Sequence, residues 1–183
     1  MTCIVALKHN GLVYMGGDAL AMDSNYTISK MAGPKVFWVH NFLVGVAGSM
    51  RDLQLMKVAW EPPPISEECN GDLEAHAVID VMQSIDDLFT KSGAIKTENG
   101  IKTMNSEILI ADFGTVFHVA SDLQISEWAG NYTAIGCGSD FALGAMHILE
   151  GRKMHPKKKV IAALEAAAKH SAGVDGPFHV EKV

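Results

Sequence analysis

The dipeptide Asn10-Gly11, set between two β-prone runs, constrains this chain more than any other feature. Asn-Gly accepts the left-handed backbone that tight antiparallel turns require, so residues 2–7 and 12–15 are expected to pair as a hairpin. A second hairpin is expected from residues 36–39 and 42–47, turning at His40-Asn41. Helical periodicity follows over 49–60, where Pro62-Pro63-Pro64 stops it. It resumes over 73–91, with Val78, Val81, Met82, Ile85, Leu88 and Phe89 on one face, Asp72 as N-cap and Gly93 past the end. Strands return at 108–111, 116–120 and 125–128. Helices are expected at 139–149 and at 156–170, the latter opened by Pro156. A short strand at 178–180 ends the chain. This order of strands, two helices, strands, two helices and a strand suits an α+β, four-layer αββα sandwich. Two antiparallel sheets pack together with helices outside, in one domain over residues 1–183.

Composition narrows the function. Hydrophobic residues make up 48 % of the 183, enough for a sizeable core without disulfides or metal. The net charge is −6, and Lys157-Lys158-Lys159 is the only basic cluster, so nucleic acid is not an expected partner. Cys3, Cys69 and Cys137 are read as free thiols in a reducing compartment. No CxxC or HExxH supports zinc, and the eight histidines show no metal-ligand spacing. No apolar run is long enough to span a membrane, and the N-terminus lacks signal-peptide character. A cytoplasmic location is therefore expected.

The first hairpin carries a chemical implication. A three-residue loop at His9-Asn10-Gly11 would oppose Lys8 to Leu12, Ala6 to Tyr14, Ile4 to Gly16 and Thr2 to Asp18. A two-residue loop would shift Thr2 to a neighbour of Asp18. A threonine hydroxyl needs an adjacent base to act as a nucleophile. Once Met1 is removed, the α-amine of Thr2 can be that base, with a reference pKa of about 7.7–8.0. The second hairpin adds Lys35 at its start, a cation that favours deprotonation of the hydroxyl, held in place by Asp18. It also adds Gly48, whose N–H leads into a helix and suits an oxyanion.

Thr2, Gly16-Gly17-Asp18, Lys35-Val36, Gly45-Val46-Ala47-Gly48-Ser49 with Asp52, and Ala134-Ile135-Gly136-Cys137-Gly138-Ser139 together resemble the proteasome β-subunit and HslV-type family of N-terminal-nucleophile (Ntn) hydrolases. The resemblance implies a threonine endopeptidase acting in a self-compartmentalised homo-oligomeric ring on peptides or unfolded protein, with an ATPase unfoldase as partner. It implies Thr2 as nucleophile, Asp18 and Lys35 as tuning residues and the Gly48 N–H as oxyanion donor. Where the family carries serine in its Gly-Ser-Gly segment, this chain has Cys137, a weaker hydrogen-bond partner, and Ser139 stands as its substitute. Ser171 fits a supporting serine after the last helix, while Ala168 stands in place of an aspartate. The resemblance also implies a monovalent cation such as Na⁺ near His170, Gly173 and Gly176, with no other cofactor. It implies an apolar substrate pocket from Ala21, Met22, Met31, Val46 and Met50. The same residues leave room for a non-catalytic ring subunit, or for an amidohydrolase of small amides.

Overall fold

Asn10 and Gly11, at φ 52° and 75°, form a two-residue turn between β1 (Ile4–His9) and β2 (Leu12–Gly17). Positive φ at both central positions matches the right-handed twist of the paired strands. The computed structural model describes residues 1–23, 25, 27–112 and 114–183. The shorter loop moves the register by one residue from that of a three-residue loop: His9 faces Leu12 and Ile4 faces Gly17.

β1 and β2 belong to a four-stranded antiparallel sheet completed by β12 (Tyr132–Ile135) and β13 (His179–Lys182) in the order β12-β1-β2-β13. A second sheet contains β5 (Val36–Val39), β6 (Phe42–Gly48), β9 (Ser106–Asp112), β10 (Thr115–Val119) and β11 (Ile125–Glu127) in the order β11-β10-β9-β6-β5. Between the sheets lies a core of Ile4, Ala6, Val13, Met15, Val36, Leu43, Ala47, Leu109 and Ile135. Cys3, Val5 and Leu7 point the other way, onto α4 (Ser139–Leu149) and α5 (Pro156–His170). Val44 and Val46 on the second sheet likewise face α1 (Met50–Val58) and α3 (Met82–Lys91). Ile4, Val5, Ala6 and Leu7 are all buried because both faces of the sheet are covered, so β1 reads as a continuous apolar run. The four layers are those of the αββα sandwich.

Several elements depart from the sequence reading. The expected helix over 73–91 is α2 (Leu73–His76), a π-turn (Ala77–Val81) and α3, with Asp72 capping as expected by accepting from the N–H groups of Glu74 and Ala75. Two small hairpins were not foreseen: β3 (Leu20–Met22) with β4 (Ile28–Lys30), and β7 (Lys96–Glu98) with β8 (Ile101–Thr103). No helix among the described residues is long and apolar enough to cross a membrane.

Candidate active site

The one-residue register shift changes how Thr2 meets Asp18. The residue opposite Asp18 is Cys3, whose N–H donates to Asp18 Oδ1 at 2.9 Å, while the Asp18 N–H donates to the Cys3 carbonyl at 3.4 Å. Thr2 reaches the carboxylate through a third group. Lys35 Nζ donates to Thr2 Oγ1 at 2.9 Å and to Asp18 Oδ1 and Oδ2 at 3.1 and 3.0 Å. It also lies 2.6 Å from the Leu20 carbonyl and 3.1 Å from that of Met1. Asp18 Oδ2 accepts in turn from the Leu20 N–H at 3.0 Å.

Lys35 and Asp18 expose 2 % and 0 % of their side chains. Burial pulls the Lys35 ammonium below its ordinary value of 10.5, and the Asp18 carboxylate opposes that pull. Next to Thr2 stands Cys3, intrinsically a better nucleophile than an alcohol. Burial, reinforced by the charge of Asp18, pushes the Cys3 thiol up to about 12. The thiol is therefore protonated at neutral pH and sealed in the core, so it is no competitor to the Thr2 hydroxyl as a nucleophile.

Cys137 holds the other side of Thr2. The Thr2 N–H lies 3.4 Å from Cys137 Sγ, and the thiol donates to the Thr2 carbonyl at 3.4 Å. Ser171 Oγ reaches Cys137 Sγ at 3.7 Å, so Ser171 meets Thr2 through the thiol. Ser139 opens α4, and its backbone N–H bonds the Gly136 carbonyl. Its hydroxyl makes no hydrogen bond to Thr2 among the described residues, because the helix start carries it past the position that Cys137 fills. Gly136, at φ 91°, lies against the Thr2 carbonyl where a Cβ would collide.

Gly48 ends β6 at the same cleft, which Thr2, Ala47, Met104, Asn105, Ser106, Glu107, Gly136 and Cys137 also border. The Val46 N–H donates to the Lys35 carbonyl at 3.2 Å and the Ser49 N–H to the Asn105 carbonyl at 3.0 Å. Backbone N–H groups alternate along a strand, so the Gly48 N–H points to the Lys35 edge, away from β9. Behind it, Ser106 Oγ donates to the buried Asp52 at 2.7 Å and accepts from the Ser49 N–H at 2.9 Å. This brace fixes the start of α1. Asp52 was legible in the sequence, but no local signal marks Ser106, which β9 delivers from 54 residues away. Gly48 has φ 133°, and an added Cβ would run into the Asn105 carbonyl and lie 2.7 Å from Ser106 Cα. Gly48→Ala is expected to cost about 1–3 kcal/mol through backbone strain. The drop will show as a lower Tm by thermal melting.

The remaining expectations fare differently. Val46 is 1 % exposed in the helix-side core, because alternation along β6 turns it from the cleft, so it cannot line an open substrate pocket. Ala21 and Met22 are half-buried on β3, Met31 packs against the helix-side core, and Met50 is exposed; none of them borders the Thr2 cleft. The cation site fits poorly. The Gly176 carbonyl already accepts from the Lys30 ammonium, which also pairs with Asp175 at 2.7 Å, and a further cation would meet that charge. His170 stacks its ring on Phe141 at 5.5 Å, and Gly173 is buried against Met1 and Cys137.

No known family profile matches the chain. Two HslV proteins, named as ATP-dependent protease subunits, are similar over most of their length. That of Geobacillus kaustophilus is 27 % identical over 187 residues, covering 100 % of this chain and 97 % of its own. That of Lysinibacillus sphaericus is 29 % identical over 172 residues, covering 91 % and 88 %. Among solved structures, Thiobacillus denitrificans BPH in complex with epoxomicin superposes with a TM-score of 0.81 at 18 % identity, over 100 % of this chain and 98 % of that one. HslV from Trypanosoma brucei superposes with a TM-score of 0.69 at 16 % identity, over 99 % and 98 %. Over its full length this chain is thus similar in sequence to HslV protease subunits, and it shares the fold of the proteasome-like N-terminal-nucleophile hydrolases.

Proposed function

We propose that this protein is a threonine peptidase whose nucleophile is Thr2 after removal of Met1. One observation carries the reading: Thr2 Oγ1 lies 2.9 Å from a buried Lys35 ammonium that is itself locked to Asp18. Met1 is 45 % exposed, and Thr2 behind it is small enough for a methionine aminopeptidase to accept as the second residue. The freed α-amine then takes the proton from Oγ1, and Oγ1 attacks the scissile carbonyl carbon. Lys35 stabilises the developing alkoxide, and the Gly48 N–H receives the oxyanion of the tetrahedral intermediate. The protonated amine passes its proton to the leaving amine as the peptide bond breaks. An acyl ester on Thr2 remains, and the same amine activates the water that hydrolyses it.

Cys137 is the group that orients the Thr2 amine, where a hydroxyl would do so more strongly. Cys137→Ser is expected to raise kcat/KM by roughly 2–10-fold, the equivalent of one improved hydrogen bond. Cys137→Ala is expected to lower it, and steady-state peptide hydrolysis distinguishes the two.

The HslV relatives are named as subunits of ATP-dependent proteases, which supports an assembly working with an ATPase; within this reading the assembly is a ring of identical subunits fed with unfolded protein. The BPH relative binds epoxomicin, which supplies a probe. Intact mass is expected to show loss of Met1 and one epoxomicin adduct per chain, mapped to the Thr2 peptide and absent in Thr2→Ala. Retained Met1 with no adduct would falsify the peptidase reading and leave a ring subunit without catalysis. Native mass spectrometry of the same sample reads the assembly.

A further inference from the structure

Far along the chain from Thr2, the fold gathers a second set of reactive side chains. Cys69 closes a short 3₁₀ turn (Glu67–Cys69), His76 ends α2, and Asp80 lies in the π-turn that follows. The spacing matches no metal-binding pattern in the sequence. In three dimensions a sulfur, a ring nitrogen and a carboxylate oxygen from these residues all fall within 4.8 Å of one another. His76 Nδ1 is 2.7 Å and Cys69 Sγ 3.2 Å from Asp80 Oδ2, which also accepts from the Ser66 N–H at 2.9 Å. Cys69 is 2 % and His76 7 % exposed, so the cluster is nearly closed to water. The π-turn is a rare backbone form, found often at functional sites.

Three ligand types meet here that together select a borderline-soft ion. Thiolate, imidazole and carboxylate are the set that zinc takes, whereas magnesium and calcium take oxygen. We propose that Cys69, His76 and Asp80 bind a divalent transition-metal ion of the zinc type. The ion enters in exchange for the Cys69 thiol proton, with the His76 proton held on Nε2 and Nδ1 as ligand. Zinc bonds of about 2.0–2.3 Å require the three atoms to spread from their present contacts by less than roughly 1 Å. Three protein ligands leave a fourth position, which water or Ser66 Oγ, 3.2 Å from Cys69 Sγ, can take. The bound ion would clamp the 66–69 segment to the helix beneath it, independently of whether Thr2 is catalytic.

The test is a Co²⁺ titration of the full-length, reduced, chelator-treated protein. We expect one equivalent per chain, a thiolate-to-cobalt charge-transfer band, bleaching of the band by Zn²⁺, and a rise in Tm with Zn²⁺ as binding to the folded state requires. His76→Gln and Asp80→Asn are expected to weaken binding by about tenfold or more, since losing even an outer-shell partner of a ligand costs about that much. Cys69→Ser should abolish the band, and Cys137→Ser should keep it. Absence of a thiolate band in the wild-type protein overturns the proposal, whatever the variants do. So does a band lost in Cys137→Ser and kept in Cys69→Ser, which would place the metal at the Thr2 cleft.

Discussion

Thr2→Ala will lower peptide hydrolysis by at least about 10³-fold in kcat, because alanine retains the amine and loses the only atom able to form the acyl ester. The fold will hardly notice. With Met1 removed, the hydroxyl's partner is Lys35, which keeps Asp18 and the Leu20 carbonyl when the hydroxyl is gone. Tm is therefore expected to stay within roughly 2–4 °C of wild type, the shift that about 1 kcal/mol produces in a chain of this size. Thr2→Ser supplies the control: it keeps the alcohol and should keep substantial activity. A Thr2→Ala protein that still cleaves peptides at the wild-type rate would remove Thr2 from the chemistry. Cys3 could not then be its replacement, because that thiol is buried and protonated.

Lys35→Ala should damage both stability and catalysis. It leaves the Asp18 carboxyl fully buried, with two backbone N–H donors and no counter-charge. Stranding one member of a buried ion pair costs about 3–5 kcal/mol. At roughly 2–4 °C per kcal/mol, the expected fall in Tm is on the order of 10 °C. Activity falls as well, because nothing cationic then faces Thr2 Oγ1. Lys35→Met combined with Asp18→Asn separates the two effects. The pair removes both charges and keeps most of the volume, so Tm should recover most of the loss while activity stays low. Recovery of activity along with Tm would make Lys35 a structural residue only.

The main strands and both C-terminal helices were legible because local signals agree with tertiary burial. Asn10-Gly11 marks its hairpin, and Pro156 and Ser139 begin their helices where expected. The π-turn was illegible because a helix that widens by one residue keeps the apolar spacing of three and four. The β7–β8 hairpin turns on Asn99-Gly100, at φ 52° and 81°, and so carries the signal that identified the first hairpin. Its strands are mostly exposed and lack apolar alternation, so nothing beside the turn marked them. Strand β12 is short and takes its place from pairing with β1. In the site, Thr2, Asp18, Lys35, Gly48 and Cys137 were found by order along the chain, and the fold brings them together. What the sequence left open was the turn length: the two-residue turn, the second of the two registers it allowed, makes Lys35 the bridge from Thr2 to Asp18. Ser106, Asn105 and Glu107 have no sequence signal because strand pairing across more than fifty residues brings them to the cleft.

The first residues of a chain ordinarily fray. Here they run straight into β1, which is hydrogen-bonded on both edges, to β12 and to β2, and covered on both faces. Thr2 lies two residues ahead of that strand, and the Cys3 between them exchanges hydrogen bonds with Asp18 in both directions, so fraying stops short of β1 until the interior strand itself melts. The proposed nucleophile therefore has little slack of its own, and loss of activity on heating should track global melting instead of preceding it.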